Sequence, residues 1–160
     1  MAAPSAKPRF VAEFGPEHQH KVAAGQGLWV DMRTPDGPVF CGLAQKITVP
    51  GAAGSFGVLP RHAPLMSSLE VGLTKITGLD GSEHRLVTGE GFVEVYNNIV
   101  LMLVDFGDDT AGIDVERAQA ARDRALTRLR SRQEEFDRAR VEASLQRALM
   151  RLRFAGKPQI

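Results

Sequence analysis

The chain is predicted to be α+β, with an N-terminal antiparallel β-sandwich followed by a C-terminal two-helix segment that is either a hairpin or extended. Three observations carry this. Short apolar-polar alternations separated by Gly, Pro, Asn and Asp fill residues 28–106, which is the pattern of strands joined by tight turns. From Ile113 to Phe154 there is no Gly or Pro, and Ala, Leu, Arg and Glu dominate, as helix propensity requires. Residues 1–27 show neither period and read as a flexible extension.

Eight strand-like runs stand out in the middle segment, at 28–33, 39–41, 45–49, 55–59, 69–76, 84–88, 91–96 and 99–104. Asp80-Gly81 and Asn97-Asn98 lie between such runs, where residues tolerant of positive φ close two-residue hairpins. Pro50-Gly51 marks a wider loop. With no helix between strands, parallel crossovers have no room, and a sandwich is favoured over a doubly wound sheet.

In the last segment, 107–160, Val141, Leu145, Ala148, Leu149 and Leu152 line one helix face. Val115, Ala118, Ala121, Ala125 and Leu129 form a shallower stripe whose small side chains allow a close helix neighbour. Ser131-Arg132-Gln133-Glu134 matches a capping box, so a second helix starts there; the alternative is one unbroken helix, because no Gly or Pro enforces a turn.

Composition excludes several classes. Among 160 residues, 43% are apolar, enough for a packed core. The 20 basic and 19 acidic residues leave a net charge of +1, with no overall pull toward nucleic acid or an anionic membrane. Between Ile113 and Phe154 the 11 arginines outnumber seven acids, but the acids interleave and the sandwich lacks a cluster of exposed aromatics for base stacking. No run approaches the roughly 20 apolar residues of a membrane-spanning helix. Lys7 and Arg9 precede the first acid, Glu13, as in a weak organelle-targeting segment, although arginine and serine are sparse for one. The single cysteine, Cys41, reads as a small buried hydrophobe, and His18 and His20 as solvated residues rather than a metal site. His62 is the obvious general base, yet no nucleophile motif or paired carboxylate accompanies it. Gly89-Glu90-Gly91 lacks the Lys-Ser/Thr of a phosphate-binding loop and reads as a strand boundary.

Residues Val49 to Leu65, Val-Pro-Gly-Ala-Ala-Gly-Ser-Phe-Gly-Val-Leu-Pro-Arg-His-Ala-Pro-Leu, carry a glycine-punctuated loop before a Pro-x-His-Ala-Pro turn. Together with Thr34 to Phe40, Gly89 to Val95 and the helical opening Ile113-Asp114-Val115-Glu116-Arg117-Ala118, this resembles the epsilon subunits of F-type ATP synthases, called delta in mitochondria. The resemblance covers residues 28–154. It implies a ten-stranded sandwich seated on the central stalk gamma subunit and the membrane c-subunit ring. It also implies two C-terminal helices that reach the catalytic alpha/beta hexamer when extended and restrain ATP hydrolysis. It implies no active site, no required cofactor, no nucleic-acid partner and no membrane insertion. The corresponding location is peripheral, on the cytoplasmic face of a bacterial inner membrane or the matrix side of a mitochondrial one.

Ser55, Phe56, Arg61 and His62 are the partner-interface candidates; Ser55 stands where several relatives carry an acid facing the ring. Some bacterial relatives bind ATP at the folded helices, and the matching positions here are Ile113, Asp114, Arg117, Arg124, Arg147 and Arg151. Guanidinium groups pair bidentately with phosphate oxygens, so regulatory ATP is chemically reasonable there. The alternative is that these arginines are solvated or meet acids on the catalytic subunits. A helix pair sealed by alanines docks weakly, since each buried methyl contributes only about 0.8 kcal/mol. A ligand at about 100 times its dissociation constant, binding one state alone, adds about 2.7 kcal/mol and moves such an equilibrium about a hundredfold.

Overall fold

A computed structural model of the chain describes residues 10–131 and 137–156. It divides into two compact units, Met1–Asp109 and Thr110–Ile160.

Among the described residues the first unit holds ten strands, β1 (Phe10–Val11), β2 (Leu28–Thr34), β3 (Gly37–Gly51), β4 (Gly54–Val58), β5 (Leu65–Leu69), β6 (Gly72–Gly78), β7 (Glu83–Thr88), β8 (Gly91–Tyr96), β9 (Ile99–Val104) and β10 (Gly107–Asp109), plus one helix, α1 (Pro16–Ala23). One ladder runs β10-β7-β6-β3-β2-β9-β8-β5, with β1 and β4 joined to β3. It folds over on itself as a β-sandwich because Leu28, Val30, Met32, Ile47, Val49, Ile76, Val93, Val95, Val100 and Met102 all turn inward, each essentially inaccessible to solvent. Alternation along each strand puts these residues on one face, and burying that face is what drives the two layers together.

Most neighbours pair antiparallel, but β2 runs parallel to β9 from Trp29/Ile99 to Arg33/Leu103, and β1 runs parallel to β3 at Phe10/Phe40 and Val11/Cys41. The first parallel pair needs no crossover helix, because β3 to β8 supply the long connection between β2 and β9.

Several boundaries differ from the sequence expectation. The runs at 39–41 and 45–49 are one strand, β3, which carries a register irregularity between Ala44 and Lys46 that lets it serve both layers. The run at 69–76 is two strands, interrupted at 70–71, where the Glu70 amide leaves the ladder to donate to Pro50 O at 2.9 Å. Pro50-Gly51 is not a wide loop: Gly51 pairs with Gly54 across the two-residue turn Ala52-Ala53. The β6–β7 connection spans residues 79–82 rather than two residues. Its Asp80 carboxylate accepts from the Ser82 amide at 3.0 Å and from the Ser82 hydroxyl at 2.6 Å. Asn97-Asn98 does form a two-residue hairpin, with φ of 48° and 61° at the two asparagines and Tyr96 paired to Ile99.

The N-terminal extension departs most from expectation, since residues 10–27 carry β1 and α1. Pro16 opens α1, Lys21 lies in its last turn, and Gly25 at φ 70° ends it in a left-handed cap. There the Gly25 amide donates to Val22 O and the Gln26 amide to Lys21 O, both at 3.0 Å. Residues 1–9 lie outside the described residues.

In the second unit, a helical turn at Thr110–Gly112 leads into α2 (Val115–Arg130), and α3 (Arg138–Phe154) follows. There are therefore two helices, not one. The second does not start at Ser131: that residue caps the end of α2, its hydroxyl and amide both donating to Arg128 O. Asp137 is the N-cap of α3, accepting from the Arg140 amide at 3.2 Å. The rest of the expected capping box, 132–134, lies outside the described residues. The Gly156 amide donates to Thr110 O, so α3 returns to the start of α2 and the pair is an antiparallel hairpin. Ala118 and Ala125 on α2 and Val141 and Ala148 on α3 are its buried residues, each pair seven apart on one helix face. Among the described residues no helix is long and apolar enough to cross a membrane.

Candidate functional site

Two regions hold the candidate residues, one in each unit. In the hairpin, the face of α2 bearing Arg124 and Arg128 meets the face of α3 bearing Arg140 and Arg147. Between them lies a cleft of about 530 Å³, also lined by Ala121, Ala125, Asp137, Val141 and Ser144. The alanines make the cleft, since their short side chains let the longer flanking guanidinium groups stand over an open floor. Among the described residues, four arginines and one acid line it, and that acid already accepts a bond from the α3 backbone. Such a wall favours a multiply charged anion, because each guanidinium presents a planar fork to oxyanion oxygens.

Of the six nucleotide-site candidates, the fold brings Arg124 and Arg147 together in this cleft. Ile113, Asp114, Arg117 and Arg151 are not part of its lining. Asp114 acts instead as the N-cap of α2, its carboxylate accepting from the Arg117 amide at 3.0 Å. Arg128 and Arg140 were missed. Arg128 lies four residues after Arg124, and Arg140 seven before Arg147, so helical periodicity alone had placed both on the right faces.

In the sandwich, Ser55 is exposed near the start of β4, and Phe56 is half-buried against the core. Arg61 is exposed and left-handed at φ 67°, an uncommon conformation for a side chain with a Cβ. Its amide donates to Asn98 Oδ1 at 2.6 Å, and the neighbouring His62 amide donates to Leu59 O at 3.1 Å. His62 Nδ1 lies 2.7 Å from Ala63 O, a contact within the turn itself. Beyond this turn, Met66 on β5, Phe92 and Tyr96 on β8, and Ile99 and Leu103 on β9 are exposed on the outer face, with Ser68, Phe92 and Leu103 in register. Apolar side chains gathered on the solvent side of three adjacent strands, interrupted by Glu94 and Ser68, are the mark of a surface built to be covered.

Elsewhere, Cys41 is buried as expected. Its thiol donates to Asp31 at 3.3 Å, and burial first, then this bond, push its pKa up to about 11. His18 is not simply solvated, because its ring packs on Trp29 with centroids 5.2 Å apart and its Nδ1 accepts from the Gly15 amide at 3.3 Å. Among the described residues no group of His, Cys, Asp and Glu is placed to hold a metal ion.

What the fold and the site define is a two-unit module, a sandwich with a coverable outer strip joined in sequence to an arginine-lined helical hairpin. Two family models match it: "ATP synthase, Delta/Epsilon chain, beta-sandwich domain" over residues 28–107 and "ATP synthase, Delta/Epsilon chain, long alpha-helix domain" over residues 112–156. The chain is 38% identical over 131 residues to the ATP synthase epsilon chain of Nitratidesulfovibrio vulgaris, covering 82% of this chain and 97% of that one. It is 40% identical over 129 residues to the ATP synthase epsilon chain of Moorella thermoacetica, covering 81% and 96%. A chain in the Euglena gracilis mitochondrial ATP synthase structure (OSCP/F1/c-ring) shares the fold, with a TM-score of 0.66 and 21% identity over 75% of this chain and 76% of that one. The chain belongs to the ATP synthase delta/epsilon family.

Proposed function

We propose that the chain is a non-catalytic rotor subunit of a proton-translocating F-type ATP synthase, linking the central stalk gamma subunit to the membrane c-subunit ring and restraining ATP hydrolysis through α2 and α3. The observation that carries this reading is that family similarity extends over both units, 28–107 and 112–156, and the curated epsilon-chain relatives are spanned almost end to end. A subunit that retained only the sandwich would have no helices with which to act on the catalytic alpha/beta hexamer.

The geometry supports particular roles. The Arg61-His62 turn and the outer strip of Met66, Phe92 and Tyr96, with the Glu94 carboxylate among them, suit the stalk contact. Ser55 and Phe56 then lie toward the ring. The arginine cleft suits the triphosphate of a regulatory ATP, held chiefly by Arg124 and Arg147 with Arg128 and Arg140 beside them. ATP bound only to the hairpin would hold the helices folded and relieve inhibition. The subunit acts by position, with no catalytic residue and no required cofactor, on the cytoplasmic face of the bacterial inner membrane.

The test is truncation after Asp108 in the assembled enzyme: hydrolysis should rise, and an unchanged rate would remove the inhibitory role. Titration calorimetry of the isolated subunit with ATP, beside Arg124→Ala, examines the cleft. Heat in the parent that is lost in the variant supports the nucleotide site, and no heat at millimolar ATP removes it.

A further inference from the structure

Residues 10–27 lie before the stretch matched by the sandwich family model, yet they are bonded into the sandwich. β1 pairs with β3, the Ala12 amide donates to Cys41 O at 2.9 Å, and Phe10 stacks on Phe40 with centroids 5.2 Å apart. Farther along, Phe14 stacks on Trp29 at 4.6 Å. Val22 of α1 buries with Trp29 and Cys41 in a second, smaller core, where they are 5%, 4% and 5% exposed. Trp29 lies between Leu28 and Val30, which face the main core, so alternation points its ring away from that core, and the segment covers it.

The covering segment is tied to the Arg61 turn through one side chain. Asn98 Nδ2 donates to Val22 O at 3.0 Å, while Asn98 Oδ1 accepts from the Arg61 amide at 2.6 Å. The same residue's backbone carbonyl accepts from the amide of Trp29 at 2.8 Å, the residue whose ring Phe14 stacks on. Gly25, just past α1, sits so close to Arg61 that a Cβ there would lie 2.8 Å from its Nε. An amide side chain is suited to this position because it donates on one side and accepts on the other, so both bonds require one fixed orientation.

We propose that residues 10–27 are a docked strap that, through Asn98 as a positioning residue, holds the Arg61-His62 turn in its left-handed conformation for the stalk subunit. The strap itself stands on the geometry above; its consequence for binding rests on the proposed function. A left-handed non-glycine residue persists only where its surroundings enforce it, and the Asn98 bridge is the enforcing contact. With α1 undocked, Asn98 loses its anchor at Val22 and its side chain is free to rotate. The Arg61 amide then exchanges with solvent.

The experiment measures residue-resolved amide exchange at Arg61 in the isolated subunit, with binding to the purified gamma subunit as a second readout. Two strap variants are compared with the parent: Val22→Asp, which places a charge in the small core, and a chain beginning at Gln26, which lacks β1 and α1. Arg61 exchange should rise about tenfold in both, the loss of roughly one hydrogen bond, and gamma affinity should fall. Asn98→Asp keeps the acceptor for Arg61 but has no donor for Val22 O. On its own Asn98→Asp therefore raises Arg61 exchange as the strap variants do, and in that background Val22→Asp has no further effect on it, a dependence that mere destabilisation would not produce. Unchanged Arg61 exchange in both strap variants overturns the proposal. Raised exchange with unchanged gamma affinity leaves the strap standing and overturns the placement of this turn against the stalk.

Discussion

Val141→Ala isolates the energy that closes the helical hairpin. Val141 is 7% exposed and stands beside Ala121 and Ala125 at the cleft floor. Truncation removes two methyl groups from a nearly dry site, about 1.5 kcal/mol at about 0.8 kcal/mol each. The small residues opposite cannot move in to fill the gap, so a cavity penalty adds to this and brings the total to about 2 kcal/mol. Val115 on α2 is the control: the same truncation at 42% exposure costs about 0.9 kcal/mol and leaves no cavity. Native-state hydrogen exchange of the α3 amides in the isolated subunit reads the difference, because local opening free energies appear directly as protection. Protection should fall about thirtyfold in Val141→Ala and about fivefold in Val115→Ala. In the assembled enzyme the same substitution should lower hydrolysis by favouring unfolded-out helices. Equal exchange in the two variants would refute the alanine-seam reasoning. An opened hairpin with unaltered hydrolysis would refute its connection to inhibition.

Two further predictions concern the sandwich. Thr74 and Thr88 are fully buried with hydroxyl oxygens 2.9 Å apart; Thr88→Val should cost about 1–3 kcal/mol in urea unfolding, and adding Thr74→Val should recover most of it, because an orphaned hydroxyl costs more than an absent pair. Cys41 titrates at about 11 in the fold against an ordinary value of 9.0, so the fold favours its neutral thiol. That stabilisation is complete below pH 9 and is lost as pH rises from there to about 11; thermal melts of Cys41→Ala should show a shallower alkaline decline than the parent, and parallel curves would exclude the effect.

Much of the sandwich was legible because alternation and turn chemistry are local. Asn97-Asn98 announced its hairpin, since adjacent asparagines tolerate the two left-handed conformations that the turn demands. β3 was read as two strands because Gly42 and Ala44 offer little side chain to continue the alternation. Its continuity is set by partners on both edges, β2 and β6, which lie far off in sequence. Local signals for α1 were also present in Pro16, Lys21 and Gly25. Eight residues are too few to show a helical period, however, and the helix is stabilised by Trp29 and Asn98, contacts that no window over 10–27 contains.

The helical site divides the same way. That residues 113–154 are helical, rich in arginine and faced with small residues follows from their composition and spacing. Which arginines share a cleft does not, because it depends on where the chain turns. Ser131 and Asp137 are both competent caps, and only the closed hairpin selects Ser131 to end one helix and Asp137 to begin the next. That choice sets the register of α3 against α2, placing Arg140 and Arg147 opposite Arg124 and Arg128. Sequence alone therefore determined the strand-rich and helical segments, the family and the chemistry available on each face. Tertiary structure decided which faces meet, because pairing energies between distant segments are absent from any local pattern of residues.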